Sequence, residues 1–324
     1  MLSAIVRRLL QTLLVVLVMS ALVFAGLYLV GDPVLMLASP EATDAERELI
    51  RQSLGLDLPL WHQYFIFLGK AVHLDFGSSF LTGESAMRLI LERMPATLEL
   101  ATLAIFLSLA IGVPLGVYAG LRPNSLAARG IMTGSVLGFS LPNFWVGLML
   151  IMLFAVMLGW LPAGGRGPVE SYGPLQLSVF NWEGLKSLLL PACTIATAKC
   201  ALIIRVTRAA TRECLPQDYI KFARAKGLRE KRVLGIHLLK NILIPIVTIG
   251  GLEYGQVFAF AVVTETVFSW PGMGKLLIDS IITLDRPVVV AYLMLTVVFL
   301  ATLNLLVDIA YTILDPRVRL ETSS

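Results

Sequence analysis

Leu9–Val30, LLQTLLVVLVMSALVFAGLYLV, runs for 22 residues without a charge and follows directly on Arg7 and Arg8. A secretory signal also begins with basic residues, but its apolar region is usually only about 7–15 long. About 20 apolar residues cross the hydrocarbon core of a bilayer, so this stretch is long enough to remain there as a helix. Working outward, Leu100–Leu121 supplies a second charge-free run of 22. Gly130–Gly165 is uncharged over 36 residues and predicts a third helix near 131–158 with Pro142 inside it. Ser187–Ile204, carrying Lys199, is the fourth. Asn241–Thr264, with Glu253 near its middle, is the fifth, and Pro287–Val307 the sixth. The whole composition agrees. Of 324 residues 57% are apolar and 15% charged, and the mean hydropathy is +0.81. Soluble chains carry roughly 25% charged residues, which disfavours a water-soluble enzyme.

Orientation follows from lysine and arginine, which collect on the cytoplasmic side. With the N-terminus inside, the inner segments hold sixteen basic residues and the outer ones nine, with Lys199 inside a span. The reading is an all-α membrane protein with six transmembrane helices and both termini inside. Outside, residues 31–95 hold nine acidic and five basic residues. There Thr43-Asp44-Ala45-Glu46 fits a capping box, and Gly55 sits where the resulting short helix over 44–54 would end. The tract Leu161-Pro162-Ala163-Gly164-Gly165 opens a second outer loop.

Residues 205–240 differ from every other polar segment, with ten basic residues against Glu213, Asp218 and Glu230. Asp218–Leu228 has the pattern of a short amphipathic helix closed by Gly227, and a second short helix follows around 229–240. Two readings stand: a basic loop facing solvent and headgroups, or a shaped docking element for a cytoplasmic partner. Gly112, Gly116 and Gly120, at four-residue spacing, would let two helices approach closely, within this subunit or against a second one. Lys199, Glu253 and Asp308 lie in or beside apolar spans. Such groups are costly in lipid and either pair or line a wet cavity.

Catalytic and metal motifs are missing. His62, His73 and His237 are dispersed, Cys193, Cys200 and Cys214 form no C-x-x-C pair, and neither H-E-x-x-H nor G-x-S-x-G occurs. Gly272-Met273-Gly274-Lys275 resembles a phosphate loop only superficially. Ser269 stands where the first glycine is needed, and Leu276 where a hydroxyl should meet magnesium.

Taken in order, several short motifs make the chain resemble the inner-membrane permease subunits of the peptide/nickel class of ABC importers, the dipeptide B-type in particular. They are Gly31-Asp32-Pro33, Leu54-Gly55-Leu56-Asp57, Asp75-Phe76-Gly77, Pro95-Ala96-Thr97-Leu98-Glu99-Leu100 and Leu141-Pro142-Asn143-Phe144-Trp145. Asp218-Tyr219, Ala223-Arg224-Ala225-Lys226-Gly227, Trp270-Pro271-Gly272, Asn304-Leu305-Leu306-Val307-Asp308 and Asp315-Pro316-Arg317 follow. The resemblance implies a type I importer permease fold. It divides the chain into a first helix (1–30), an external segment (31–95), a permease domain (96–313) with its coupling loop at 205–240, and a cytoplasmic tail (314–324). It also implies the family's coupling motif, E-A-A-x-x-x-G followed by I-x-L-P. Ala223, Gly227 and Leu239 match it, whereas Lys221, Phe222, His237 and Lys240 replace its Glu, first Ala, Ile and Pro.

In the family that element enters a groove of the ATP-binding subunit, so Lys221, Phe222, Ala223, Arg224, Lys226, Gly227, His237 and Leu239 are the candidate coupling residues. Lys199 and Glu253 are the candidate cavity residues. The implied partners are a second homologous permease, two cytoplasmic ATPases, an external solute-binding protein and the lipid bilayer; nothing points to nucleic acid. ATP and magnesium would bind the partner subunits, leaving this chain without a cofactor or catalytic site. The implied location is the bacterial inner membrane, and the implied cargo di- or oligopeptides. Alternatives are a nickel chelate, glutathione or an oligosaccharide on the same machinery, or a self-sufficient secondary transporter. The last would be supported by inverted repeats, and no convincing self-similarity is present.

Overall fold

The computed structural model describes residues 2–29, 34, 41, 43–53, 55–173 and 175–314. Gly31-Asp32-Pro33, Leu54 and Asp315-Pro316-Arg317 lie outside the described residues. The described chain forms helices α1 (Leu2–Leu29), α2 (Asp44–Ser53), α3 (Leu60–Val72), α4 (Ala86–Leu121), α5 (Leu126–Ser140) and α6 (Asn143–Met157). A small hairpin of β1 (Glu170–Tyr172) and β2 (Leu175–Leu177) follows. Next come α7 (Trp182–Cys214), α8 (Asp218–Ala225), α9 (Glu230–Phe260), α10 (Val262–Val267), α11 (Met273–Ile282) and α12 (Arg286–Leu314).

Among the described residues five helices are long and apolar enough to cross a membrane: α1, α4, α7, α9 and α12. The pair α5 and α6 makes a sixth crossing if counted together, but it bends by 104° at its break. This corrects the expectation of a single third helix near 131–158 with Pro142 inside it. Leu141 is extended (φ −83°, ψ 133°), and Pro142 becomes the N-cap of α6. A residue before proline is pushed out of the α region, so the helix ends at Ser140 and restarts at Asn143. A second expectation also changes. The short helix foreseen at 229–240 is no separate element; it continues through a π-helical stretch, Val233–Leu238, into the membrane-spanning part of α9.

The capping box at Thr43 forms. Glu46 Oε2 accepts from the Thr43 amide (2.8 Å) and Oγ1 (3.0 Å), and Gly55 adopts φ +68° just beyond α2. By contacts the chain divides into two units. One comprises the described residues within 95–275 and 302–314, and the other those within 2–94 and 276–301.

The glycine strip on α4 resolves inside the first unit. A Cβ on Gly116 would lie 2.6 Å from Thr207 Cβ and 2.8 Å from the Ile204 carbonyl oxygen, and one on Gly120 2.6 Å from Thr211 Cβ. Gly112 faces Ile203 and Gly120 faces Thr211, so α4 and α7 are pressed together along three turns within this subunit. Toward the other end of this helix pair Ala96, Leu100, Ala101, Ala104, Leu188 and Ala192 form one apolar core with Val257 and Trp270.

Candidate functional site

The candidate coupling segment is built on a second apolar cluster at the other end of α4, α7 and α9. Ile220 and Ala223 of α8 are buried with Val233, Leu238, Ile242 and Ile246 of α9, against Val113, Val117 and Leu121 of α4 and Ala210 and Cys214 of α7. Spacing places Ile220 and Ala223, three apart, on one side of the helix. Ala223, one of the candidate coupling residues, is therefore turned inward and holds α8 to the chain's own helices. Ile220 was missed in the sequence, where neighbouring Tyr219 and Phe222 dominated the pattern. Phe222 points the other way and is 61% exposed, with Lys226 Nζ over its ring at 4.5 Å.

Gly227 ends α8 with φ +73°, and nothing lies within 4 Å of a Cβ built there. Its requirement for glycine is conformational: a left-handed residue follows the Lys226 C-cap, and its amide bonds back to the Arg224 carbonyl (2.9 Å). Most side chains resist that conformation. Arg224 crosses the turn to Glu230 through a terminal nitrogen (2.6 Å) and Nε (3.3 Å), stapling α8 to the start of α9. That hydrogen bond raises the Arg224 pKa. Lys221 is paired with Asp218 (3.0 Å) on the exposed side. His237 and Leu239 are half-buried where the π-helical stretch meets the regular helix, and fully buried Leu238 between them anchors this turn. The result is a rigid platform with Phe222, Lys226 and Arg229 exposed and its underside packed on three helices.

Lys199 and Glu253, from α7 and α9, are brought together. Lys199 Nζ donates to Glu253 Oε2 and reaches Gln256 Oε1 at 3.3 Å. The pairing alternative thus has a direct geometric counterpart. Neither residue lines the cavity of about 400 Å³ formed by α4, α5 and α7, whose walls include Leu107, Ile111, Ile131, Ser135, Thr197 and Cys200.

Two polar networks went unforeseen. Glu99 of α4 accepts from Arg166 (2.6 Å), from the amides of Ser178 and Val179, and from Ser178 Oγ (3.1 Å), tying the outer loop to the helix. Glu265 of α10, fully buried, accepts from Thr97 Oγ1 (2.7 Å) and the Lys275 amide (2.9 Å), while Thr97 Oγ1 accepts from the Met273 amide (2.8 Å). Trp270 Nε1 donates to the Ala96 carbonyl (2.9 Å) alongside. A side chain at Gly272 would strike the Glu265 carboxylate. The glycines of Gly272-Met273-Gly274-Lys275 therefore make room for a carboxylate at the start of α11, where amides favour negative charge. Among the described residues, no group of three or more His, Cys, Asp or Glu could hold a metal.

The family model for the inner membrane component of binding-protein-dependent transport systems matches residues 112–320, and its N-terminal companion model matches residues 1–101. The chain belongs to this family. It is 40% identical to the oligopeptide transport system permease protein AppB of Bacillus subtilis, over 98% of this chain and 99% of that protein. It is 40% identical to the di/tripeptide transport system permease protein DppB of Pseudomonas aeruginosa, and 35% to the dipeptide permease DppB of Escherichia coli, at the same coverage. Among solved structures, a chain of the MetNI methionine ABC transporter in an inward-facing conformation matches with a TM-score of 0.55 and 18% identity, over 71% of this chain and 97% of that one. The fold is that of a type I ABC importer permease. The chain is accordingly a multi-pass inner-membrane permease subunit of an ABC transporter.

Proposed function

We propose that the chain is the peptide-conducting permease of an ATP-driven importer, with 1–30, 31–95, 96–313 and 314–324 serving as first span, external segment, permease domain and tail. It works with a second homologous permease, two cytoplasmic ATPases and an external solute-binding protein. Full-length likeness to three peptide permeases carries the choice of cargo. The site supports the coupling role. Phe222 is presented outward on a helix clamped to α4, α7 and α9, with Lys221, Arg224, Lys226 and Arg229 around it as a polar rim. An aromatic anchor inside a charged rim is the usual anatomy of a docking surface.

Force applied to α8 passes directly into three helices through Ile220 and Ala223, because a packed core transmits displacement rather than absorbing it. ATP and magnesium stay on the ATPases, and this chain moves without chemistry of its own. Gly227, His237 and Leu239 set the angle between α8 and α9. Cells deleted for this chain should lose uptake of a labelled dipeptide and regain it on complementation. Uptake of glutathione, a nickel chelate or an oligosaccharide, with dipeptide uptake unaffected, would reassign the cargo.

A further inference from the structure

The Lys199–Glu253 pair lies deep in the membrane. Glu253 is near the middle of the apolar run Asn241–Thr264. At 1.5 Å per residue it stands about 17 Å from either end of that run. Yet the pair is not sealed by helix packing: the Lys199 side chain is 20% exposed and that of Glu253 11%. Gln256, one turn further along α9, is exposed, and its Oε1 accepts from Lys199 Nζ at 3.3 Å. Charged and polar groups open at this depth are too costly to leave against acyl chains, and they face water or another polar body. The cavity between α4, α5 and α7 supplies no comparable group, since its walls are mostly apolar.

A short peptide carries an ammonium at one end and a carboxylate at the other, and both are expensive to take out of water. Lys199 offers an ammonium with three donors and Glu253 a carboxylate that accepts, while the amide of Gln256 can donate to and accept from a peptide group. If the pair opens onto a peptide, Lys199 takes its carboxylate and Glu253 its ammonium, so no charge goes unmatched. When the peptide leaves, the pair recloses and displaces it. That competition keeps the hold weak, as conduction requires of an internal site. A lone lysine at this depth would be uncompensated whenever the site stood empty.

We propose that Lys199, Glu253 and Gln256 form a transit site for zwitterionic solutes, engaging the free carboxylate and free amino group of a peptide by exchange with their own ion pair. The inference rests on the peptide-importer reading and adds to it the chemical class the pathway accepts, solutes charged at both ends.

Two double variants test it in proteoliposomes holding the chain, its co-purifying subunits and the solute-binding protein. Lys199→Met with Glu253→Gln removes both charges, whereas Lys199→Arg with Glu253→Asp keeps them. Uptake of labelled alanyl-alanine should fall about tenfold or more in the neutral variant, through loss of charge-assisted hydrogen bonds. It should be largely retained in the charged variant, with melting temperatures measured alongside. A second measurement needs neither variant. In a chain carrying Cys193→Ala, Cys200→Ala and Cys214→Ala, a water-soluble thiol reagent should modify Gln256→Cys in the assembled complex. Modification should slow severalfold when ATP is added with peptide-loaded rather than empty binding protein. Equal uptake by the two double variants would make the pair purely structural. A Gln256→Cys that stays unmodified would place the site under the second permease. Either result overturns the inference. A wild-type complex that takes up no dipeptide would remove the peptide reading itself, and this inference with it.

Discussion

Lys199 and Glu253 each sit in an apolar helix where a lone charge is expensive, and each compensates the other. Removing one partner of a buried pair leaves an uncompensated charge and costs about 3–5 kcal/mol, while replacing both is often neutral. Lys199→Met should therefore lower the melting temperature of the purified chain markedly, and Lys199→Met combined with Glu253→Gln should recover most of it. A cavity role without structural pairing would instead leave stability unchanged and reduce transport alone. Gly227 is a different case, because its constraint is backbone conformation rather than crowding. Left-handed geometry costs a residue with a side chain roughly 1–2 kcal/mol. Gly227→Val should insert and fold but lose bound ATPase or transport-coupled hydrolysis, measured by co-purification and ATPase assay. Gly227→Asp should be milder as a backbone change, since aspartate tolerates this region better.

Between elements, the close approach of α4 and α7 leaves no room at Gly116, where one of the nearest atoms is a backbone oxygen that cannot rotate away. Gly116→Val should destabilise the chain by about 1–3 kcal/mol or more through overpacking, read as a fall in melting temperature. Glu265, on α10 with its carboxylate against the first turn of α11, predicts a pH dependence. Burial pushes its carboxyl up, against hydrogen bonds from Thr97 and the amides of Lys275 and Gly274. A carboxyl with a raised folded-state pKa binds its proton more tightly in the folded chain. Its contribution is fullest below the unfolded pKa and is lost as pH rises through the folded one. Glu265→Gln should remove that part of the slope of melting temperature against pH; an unchanged slope would contradict the assignment. These elements also show what was legible. The spans and the α2 capping box are local patterns, so they could be read directly. The break at Pro142 could not, because Pro95, Pro114, Pro191 and Pro245 all sit inside helices that continue. The Glu265–Thr97 and Glu99–Ser178 bonds join residues 168 and 79 apart, and no local spacing encodes them. In the coupling segment Gly227 announced its turn, whereas the inward face of Ala223 depended on helices distant in sequence.

For the whole molecule, the basic-residue asymmetry predicts that an impermeant thiol reagent labels Glu48→Cys in intact spheroplasts and spares Arg229→Cys until the membrane is opened. The opposite pattern would invert the topology and remove the coupling segment from the side where ATP is hydrolysed. Within the predicted orientation, the proposed coupling role rests on α8: Phe222 is exposed, and Ile220 and Ala223 are packed with α4, α7 and α9. The most direct test of that coupling role is cysteine cross-linking in native membranes, in a chain carrying Cys193→Ala, Cys200→Ala and Cys214→Ala. Phe222→Cys should cross-link through a short bifunctional reagent to a separate polypeptide that binds ATP, and Ala223→Cys, buried in the chain's own core, should not. A Phe222→Cys chain that stays uncross-linked and freely labelled while transport proceeds would contradict the account.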